Sequence, residues 1–252
     1  MGESVLFFLF LFGHALGAFY FQSKDTVKKK EASPRYVISH AAVYTACMMV
    51  VVLTAYKFSL AAAGLFLLIF GAHSIIDLAK RNAAKAPQLP IIPKKTTGEY
   101  LFFIDQGLHI GSLVLFAFLF STQIVPRPWF ADLTTLEMGW SIHPIIMLTG
   151  FLYIIKPASL TIEKVLLVCE IAPTLDSGFA NGGKIIGILE RLLIFFLLLL
   201  GQFSTIGLVI AAKSLARFRD LDDRKCAEYY IIGTFLSLVV VGAVALVIIV
   251  SH

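Results

Sequence analysis

Two pairs of ionisable residues have the types and the spacing to do chemistry. His73 and Asp77 lie four residues apart near the end of one apolar run. Asp105 and His109 repeat that spacing in reverse order at the start of the next run. Side chains four apart share one face of a helix. If the basic loop from Lys80 to Lys95 joins two antiparallel membrane helices, both pairs lie at one depth, where ionisable groups mark functional sites by default.

Two further histidines reach the same leaflet if the N-terminus lies outside. His14 is toward the end of the first apolar run and His40 is near the start of the second. Imidazole and carboxylate ligands suit zinc first, with manganese or iron as alternatives, and a divalent metal can activate water for hydrolysis. The predicted metal ligands are His14, His40, His73, Asp77, Asp105 and His109, and the predicted catalytic residues are Asp77 and Asp105.

A structural role for the same residues is the alternative. Asp77 and Asp105 would then face the headgroups and pair with Lys80 or Arg81. The histidines would form hydrogen bonds between helices.

A second polar set lies in the last third of the chain. Glu190 and Arg191 are adjacent and cannot face each other, so each needs a partner, for which Lys156, Glu163 and Glu170 are candidates. Lys213 and Arg217 share a helical face and either hold an anionic headgroup or act as ordinary topogenic charge. The residues predicted to contact a substrate or lipid headgroup are Gln22, Lys80, Gln106, Glu190, Arg191, Lys213 and Arg217.

The elements that must position these residues are membrane helices. The chain of 252 residues is 58% apolar and 15% charged, with the charges gathered between long apolar runs. These runs are 5–22, 36–56, 58–79, 100–125, 141–155, 185–212 and 229–251. The composition predicts an all-α, polytopic transmembrane bundle of about seven spanning helices.

The positive charge predicts how the chain is oriented in the membrane rather than a nucleic-acid partner. The net charge of +5 arises largely from Lys and Arg in short loops beside the apolar runs. The loops after the first and third runs should therefore be cytoplasmic, contact membrane lipid and leave the N-terminus outside. We interpret the first run as a retained helix rather than a cleaved signal.

The segment 141–172 predicts a break in the bundle. Residues 142–155 are too few to span in the usual way, and Pro157 should end the helix. A Pro-broken or re-entrant hairpin keeps the later basic residues cytoplasmic and the C-terminus outside. We therefore predict a four-helix unit at 1–125 that carries the His/Asp cluster. A second unit at 126–252 would contain the hairpin and two long helices, 185–212 and 229–251.

The order of these motifs resembles a known family. His14-Ala-Leu-Gly-Ala-Phe, His40, His73-xxx-Asp77 and Asp105-Gln-xx-His109 are similar to the bacterial membrane proteins grouped as domain of unknown function 3307. The resemblance implies a bacterial inner membrane and carries no established activity. Similar sequences have an acidic residue where this chain has Ala18, one turn beyond His14, so the first pair is incomplete here.

The predicted function is a metal-dependent hydrolase of an anionic amphiphilic or lipid-linked substrate. One alternative is an ion- or proton-coupled transporter or channel that uses the same histidines and aspartates. Another is a non-enzymatic membrane anchor or sensor whose partner docks on the basic loops. The oligomeric state is left open.

Overall fold

The computed structural model describes residues 2–85, 96–135, 144–170, 182–216, 218 and 222–250. Within them the fold is helical, with no β-strand, as predicted. In chain order the helices are α1 (Gly2–His14), a π-helix (Ala15–Tyr20), α2 (Lys24–Ala32), α3 (Pro34–Ala55), α4 (Leu60–Lys85), α5 (Thr97–Phe120), α6 (Pro128–Thr135), α7 (Pro144–Val168), α8 (Gly182–Leu199), α9 (Phe203–Ala216) and α10 (Arg224–Val250). The chain divides into two compact units, Met1–Thr149 and Gly150–His252.

Five of these helices are long and apolar enough to cross a membrane, namely α3, α4, α5, α7 and α10. The first helical segment and α2 count as a sixth span only if they are taken together, and they meet at 86°. The described residues are therefore consistent with a multi-pass membrane protein. The expected count of about seven spans is not confirmed.

The first unit is built from α1, α3, α4 and α5 around one apolar core. Pro34 starts α3 because its fixed φ suits the first helical position. Ser59 caps α4 by accepting a hydrogen bond from the Ala62 amide at 3.1 Å. The largest core side chains include Leu6, Leu9 and Phe10 of α1, Tyr44 and Met48 of α3, Leu65 and Ile69 of α4, and Leu113 and Phe116 of α5.

Backbone hydrogen bonds bring the turn after α3 beside the end of α5. The Lys57 amide donates to the Val125 carbonyl, and the Arg127 amide donates to the Ala55 carbonyl, both at 2.8 Å. His40, His73 and His109 each lie about 20 Å along their helices from this end. The short turn therefore sets the ligand-type residues of three helices at one level.

The helix α1 ends in a π-helical turn, and the chain changes direction after this turn. The Phe21 amide donates to the Leu16 carbonyl five residues earlier at 2.8 Å. Such turns are frequent at functional sites. The chain then bends into α2, whose first turn Ser23 caps by accepting from the Thr26 amide. This bend carries the basic side chains of α2 back toward α3.

The predicted break at Pro157 is wrong, because α7 continues through it from Pro144 to Val168. Proline removes one backbone donor and crowds the preceding turn. The next two carbonyls of the helix receive side-chain donors: Arg191 Nε donates to the Ile154 carbonyl at 3.0 Å, and Ser159 Oγ donates to the Ile155 carbonyl at 2.7 Å. Donors from side chains and a neighbouring helix let a proline remain inside a membrane helix.

The predicted long helix at 185–212 is also wrong, because the chain reverses after α8. Gly201 has a φ of +68°. The Gln202 amide donates to the Leu197 carbonyl at 2.8 Å, and the Gly201 amide donates to the Leu198 carbonyl at 3.1 Å. This is the Schellman arrangement that ends helices at a left-handed glycine. The run is therefore two packed helices, α8 and α9, while α10 covers residues 229–250 of the predicted last helix.

Candidate metal centre

The first unit brings five of the six predicted metal ligands into two overlapping groups. The first group is His40, His73 and Asp77, and the second is Asp77, Asp105 and His109. Within each group, one ligand atom per residue lies within 4.8 Å of the others. All five side chains are buried, and Asp77 belongs to both groups.

Hydrogen bonding fixes which nitrogen of His109 can bind a cation. His109 Nδ1 lies 2.8 Å from the Asp105 backbone carbonyl. A carbonyl only accepts, so Nδ1 carries the hydrogen and Nε2 keeps its lone pair. Metal-binding histidines are commonly oriented by such a second hydrogen bond. The buried His109 Nε2 has no hydrogen-bond partner among the described residues.

Other buried atoms in the cluster also lack hydrogen bonds within the part of the chain that the structure describes. They include Asp105 Oδ1 and both ring nitrogens of His73. Buried polar atoms normally form hydrogen bonds, so several buried polar atoms without hydrogen bonds at one place need an explanation. A bound cation is one explanation that fits their type, since a carboxylate oxygen and the lone-pair nitrogen of a neutral imidazole can both act as ligands.

His14 lies beside the cluster but outside both groups. Its Nδ1 is 3.0 Å from the Tyr44 hydroxyl and its Nε2 is 3.2 Å from Gln106 Oε1. The Gln106 oxygen accepts, so Nε2 carries the hydrogen and Nδ1 accepts from Tyr44. Gln106 Nε2 in turn donates to Asp105 Oδ2 at 3.0 Å. His14 and Gln106 therefore orient Asp105, whereas sequence reasoning placed them at a metal and at a headgroup.

Sequence reasoning missed Tyr44. Its ring stacks on His73, with the ring centres 3.8 Å apart and the planes at 13°. Tyr44 follows His40 by four residues, and this spacing was the available signal. The stacking holds the His73 ring in place, with its Nε2 3.5 Å from Asp77 Oδ2.

Lys30 was also missed, because α2 was interpreted as part of a basic loop. Lys30 Nζ lies 2.6 Å from Asp77 Oδ2, and Lys80 Nζ lies 2.9 Å from Asp105 Oδ2. When its amide is oriented to satisfy both atoms, Gln22 accepts from Lys30 at 3.0 Å and donates to the Ala18 carbonyl. Each carboxylate of the cluster thus has an ammonium partner.

The second unit holds the other predicted polar residues. Glu190 pairs with Lys213, which also donates to Thr234 Oγ1 at 3.1 Å. Lys213 was not among the partners that the sequence suggested for Glu190. The buried Arg191 binds the Ile154 carbonyl and the Ser159 hydroxyl. The predicted headgroup residue Arg217 lies outside the described residues.

A family model described as protein of unknown function (DUF3307) matches residues 6–136, slightly more than half of the chain. The chain belongs to this family. The matched segment contains all six predicted ligands, so the resemblance of their motifs is confirmed. No curated protein and no solved structure matches the chain. In this DUF3307 protein the residues Glu190, Arg191 and Lys213 lie beyond the matched segment.

Proposed function

We propose that this DUF3307 protein is a metal-dependent hydrolase of an anionic amphiphile, located in a bacterial inner membrane with its N-terminus outside. The observation that carries the proposal is the convergence of buried, open ligand atoms from three helices. Because Asp77 belongs to both groups, the cluster has ligands for one ion in either group or for two ions that share Asp77.

The residues around the cluster fit a divalent metal. Such a metal supplies Lewis acidity and lowers the pKa of a bound water toward neutrality. His40, His73 and His109 would contribute neutral nitrogen ligands, and the two aspartates would contribute charge. Gln106 and His14 would hold Asp105 in orientation through the hydrogen bonds already described. Tyr44 would hold His73 by stacking.

The charge balance favours an anionic substrate. Lys30 and Lys80 already neutralise Asp77 and Asp105. A divalent cation therefore adds net positive charge to a buried site, which is costly unless an anion accompanies it. The side chain of Lys80 is 35% exposed and that of Lys30 is 16% exposed, so both can turn toward a phosphate or carboxylate at the rim.

The proposal is tested by metal analysis of protein purified without chelator. We expect about one or two equivalents of zinc, manganese or iron per chain. Asp77→Asn removes the ligand common to both groups and should abolish most of the binding. Asp25→Asn makes the same chemical change on the exposed face of α2 and should leave binding unchanged. Ala18→Asp restores the acidic residue and should increase retention.

Folding of each variant is checked by size-exclusion elution and circular dichroism, and His40→Gln serves as a second loss-of-ligand variant. Less than about a tenth of an equivalent, even with Ala18→Asp, would overturn the proposal.

An ion- or proton-coupled transporter is the second candidate, favoured by the buried Asp–Lys pairs. Two results together would establish that function instead. The purified protein would contain no metal, and its proton flux in liposomes would be lost in Asp77→Asn.

A further inference from the structure

The second unit contains a cavity of 610 Å³ that the proposed hydrolase does not use. Side chains of α7, α8, α9 and α10 line it. One part of its lining is apolar, from Ile162, Leu166 and Ile186. Another part is cationic, from Lys184, Arg191 and Lys213. A cavity with both kinds of lining matches a ligand that has a charged head and an apolar tail.

The described lining residues, counted together with Glu190 beside them, carry one net positive charge. Glu190 pairs with Lys213 and offsets it. Glu163 also lines the cavity and offsets one of the two remaining cations, Lys184 and Arg191. A cavity with this balance attracts a ligand that carries a single negative charge.

Arg191 is built into the cavity rather than free at a surface. Its residue is 4% exposed. Its guanidinium donates to two neutral acceptors, the Ile154 carbonyl and the Ser159 hydroxyl. Both bonds hold the side chain against α7 and leave further N–H donors of the fork available. A preorganised guanidinium is the group best suited to a phosphate ligand.

The first turns of α8 add to this preference for an anion. Gly183, Lys184 and Gly187 line the cavity close to the start of an 18-residue helix. The amides of a first helical turn carry partial positive charge. The small glycines let a ligand approach the backbone.

We propose that this cavity binds an anionic phospholipid, with its phosphodiester between Arg191 and Lys184 and an acyl chain along the apolar lining. A phosphodiester carries the single negative charge that the lining leaves unbalanced. The site is independent of the metal centre, because all its residues lie in the second unit and beyond the family match.

Gly233 offers a way to close the cavity without disturbing the fold. It lines the cavity on α10, and a Cβ added there meets no atom within 4 Å. Gly233→Leu therefore fills space in the cavity, and in a helix leucine is also favoured over glycine. Gly242→Leu is the matched control, because Gly242 is on the same helix, has equal room for a Cβ and does not line the cavity.

The experiment is native mass spectrometry of the full chain with phosphatidylglycerol or phosphatidylcholine of the same acyl chains. We expect one phosphatidylglycerol per chain, with a preference on the order of tenfold over phosphatidylcholine. Gly233→Leu should abolish this retention and Gly242→Leu should keep it. Lys184→Gln should reduce the preference for the anionic lipid, because it removes one contact to the headgroup.

Three results would overturn the proposal. The first is equal retention of phosphatidylglycerol and phosphatidylcholine, and the second is unchanged retention of phosphatidylglycerol in Gly233→Leu.

The third result comes from competition with glycerol 3-phosphate and inorganic phosphate, which have no lipid tail. If either competes at concentrations similar to those of phosphatidylglycerol, the cavity binds a free anion and the acyl chain has no role. None of these results depends on metal binding, so they leave the hydrolase proposal untouched.

Discussion

Tyr44 connects three histidines of the first unit through one side chain. It hydrogen-bonds His14 and stacks on His73, and its ring centre lies 6.3 Å from that of His109. Its position depends on Gly17, because a Cβ on Gly17 would lie 2.8 Å from Tyr44 Cδ2 and 3.2 Å from its Cα. At the scale of single residues, the candidate centre therefore depends on a glycine that has no functional group.

Gly17→Ala should displace Tyr44 and disturb the candidate centre. Overpacking of this kind costs about 1–3 kcal/mol. We expect a lower thermal unfolding temperature together with weaker metal retention, since His73 loses the ring that holds it. Gly111→Ala is the control, because a Cβ on Gly111 of α5 meets no atom within 4 Å. Gly17→Ala protein with unchanged stability and metal content would show that the contact with Tyr44 has no role.

The reversal between α8 and α9 decides the structure of the second unit at the scale of elements. Glu190 and Lys213 are 23 residues apart in sequence and form an ion pair. In one continuous helix they would be about 35 Å apart. The turn at Gly201 is what brings them together, and with them the walls of the cavity.

Gly201→Ala should destabilise this turn, because its φ of +68° is unfavourable for a residue with a side chain. The expected cost is roughly 1–2 kcal/mol in the free energy of unfolding. Gly207→Ala should instead stabilise by about 0.5–1 kcal/mol, since Gly207 is inside α9 and has room for a Cβ. Denaturant titration of both variants measures the difference. If Gly201→Ala stabilised the protein and Gly207→Ala destabilised it by an equal amount, the assignment of the turn would be contradicted.

At the scale of the whole molecule, the reversal also changes the expected membrane topology. The sequence predicted that 141–172 dips into the bilayer and returns. With α7 continuous, α8 and α9 are the pair that folds back, and we expect both ends of that pair on one side of the membrane. Arg224 and Lys225 at the start of α10 would then lie on the side from which α8 starts, in line with the charge rule.

Cysteine labelling tests this arrangement. Single cysteines at Lys184 and Asp222 are placed in a chain whose Cys47, Cys169 and Cys226 are replaced by serine. An impermeant maleimide should label both from the same face of membrane vesicles. A cysteine at Val250 should be labelled from the opposite face, because α10 is long enough to cross. Labelling of Lys184 and Asp222 from opposite faces would show that 182–216 crosses the membrane.

The sequence by itself determined the all-helical class, the presence of apolar helices long enough to span a membrane, the family and the level at which the His/Asp pairs meet. These follow from local information: apolar run length, a spacing of four and a motif order within one matched segment. His73, Asp77, Asp105 and His109 could be placed at one level from their spacing, given that the loop between the two apolar runs joins antiparallel helices.

Only the tertiary structure decided the partners of those residues and the course of the second unit. Lys30 reaches Asp77 because the chain bends by 86° before α2. Pro157 lies inside α7, and Arg191, 37 residues away, donates to the Ile154 carbonyl beside it. Gly201 reverses the chain within an unbroken apolar run. Each outcome depends on contacts between groups distant in sequence, and hydropathy and local spacing carry no information about them.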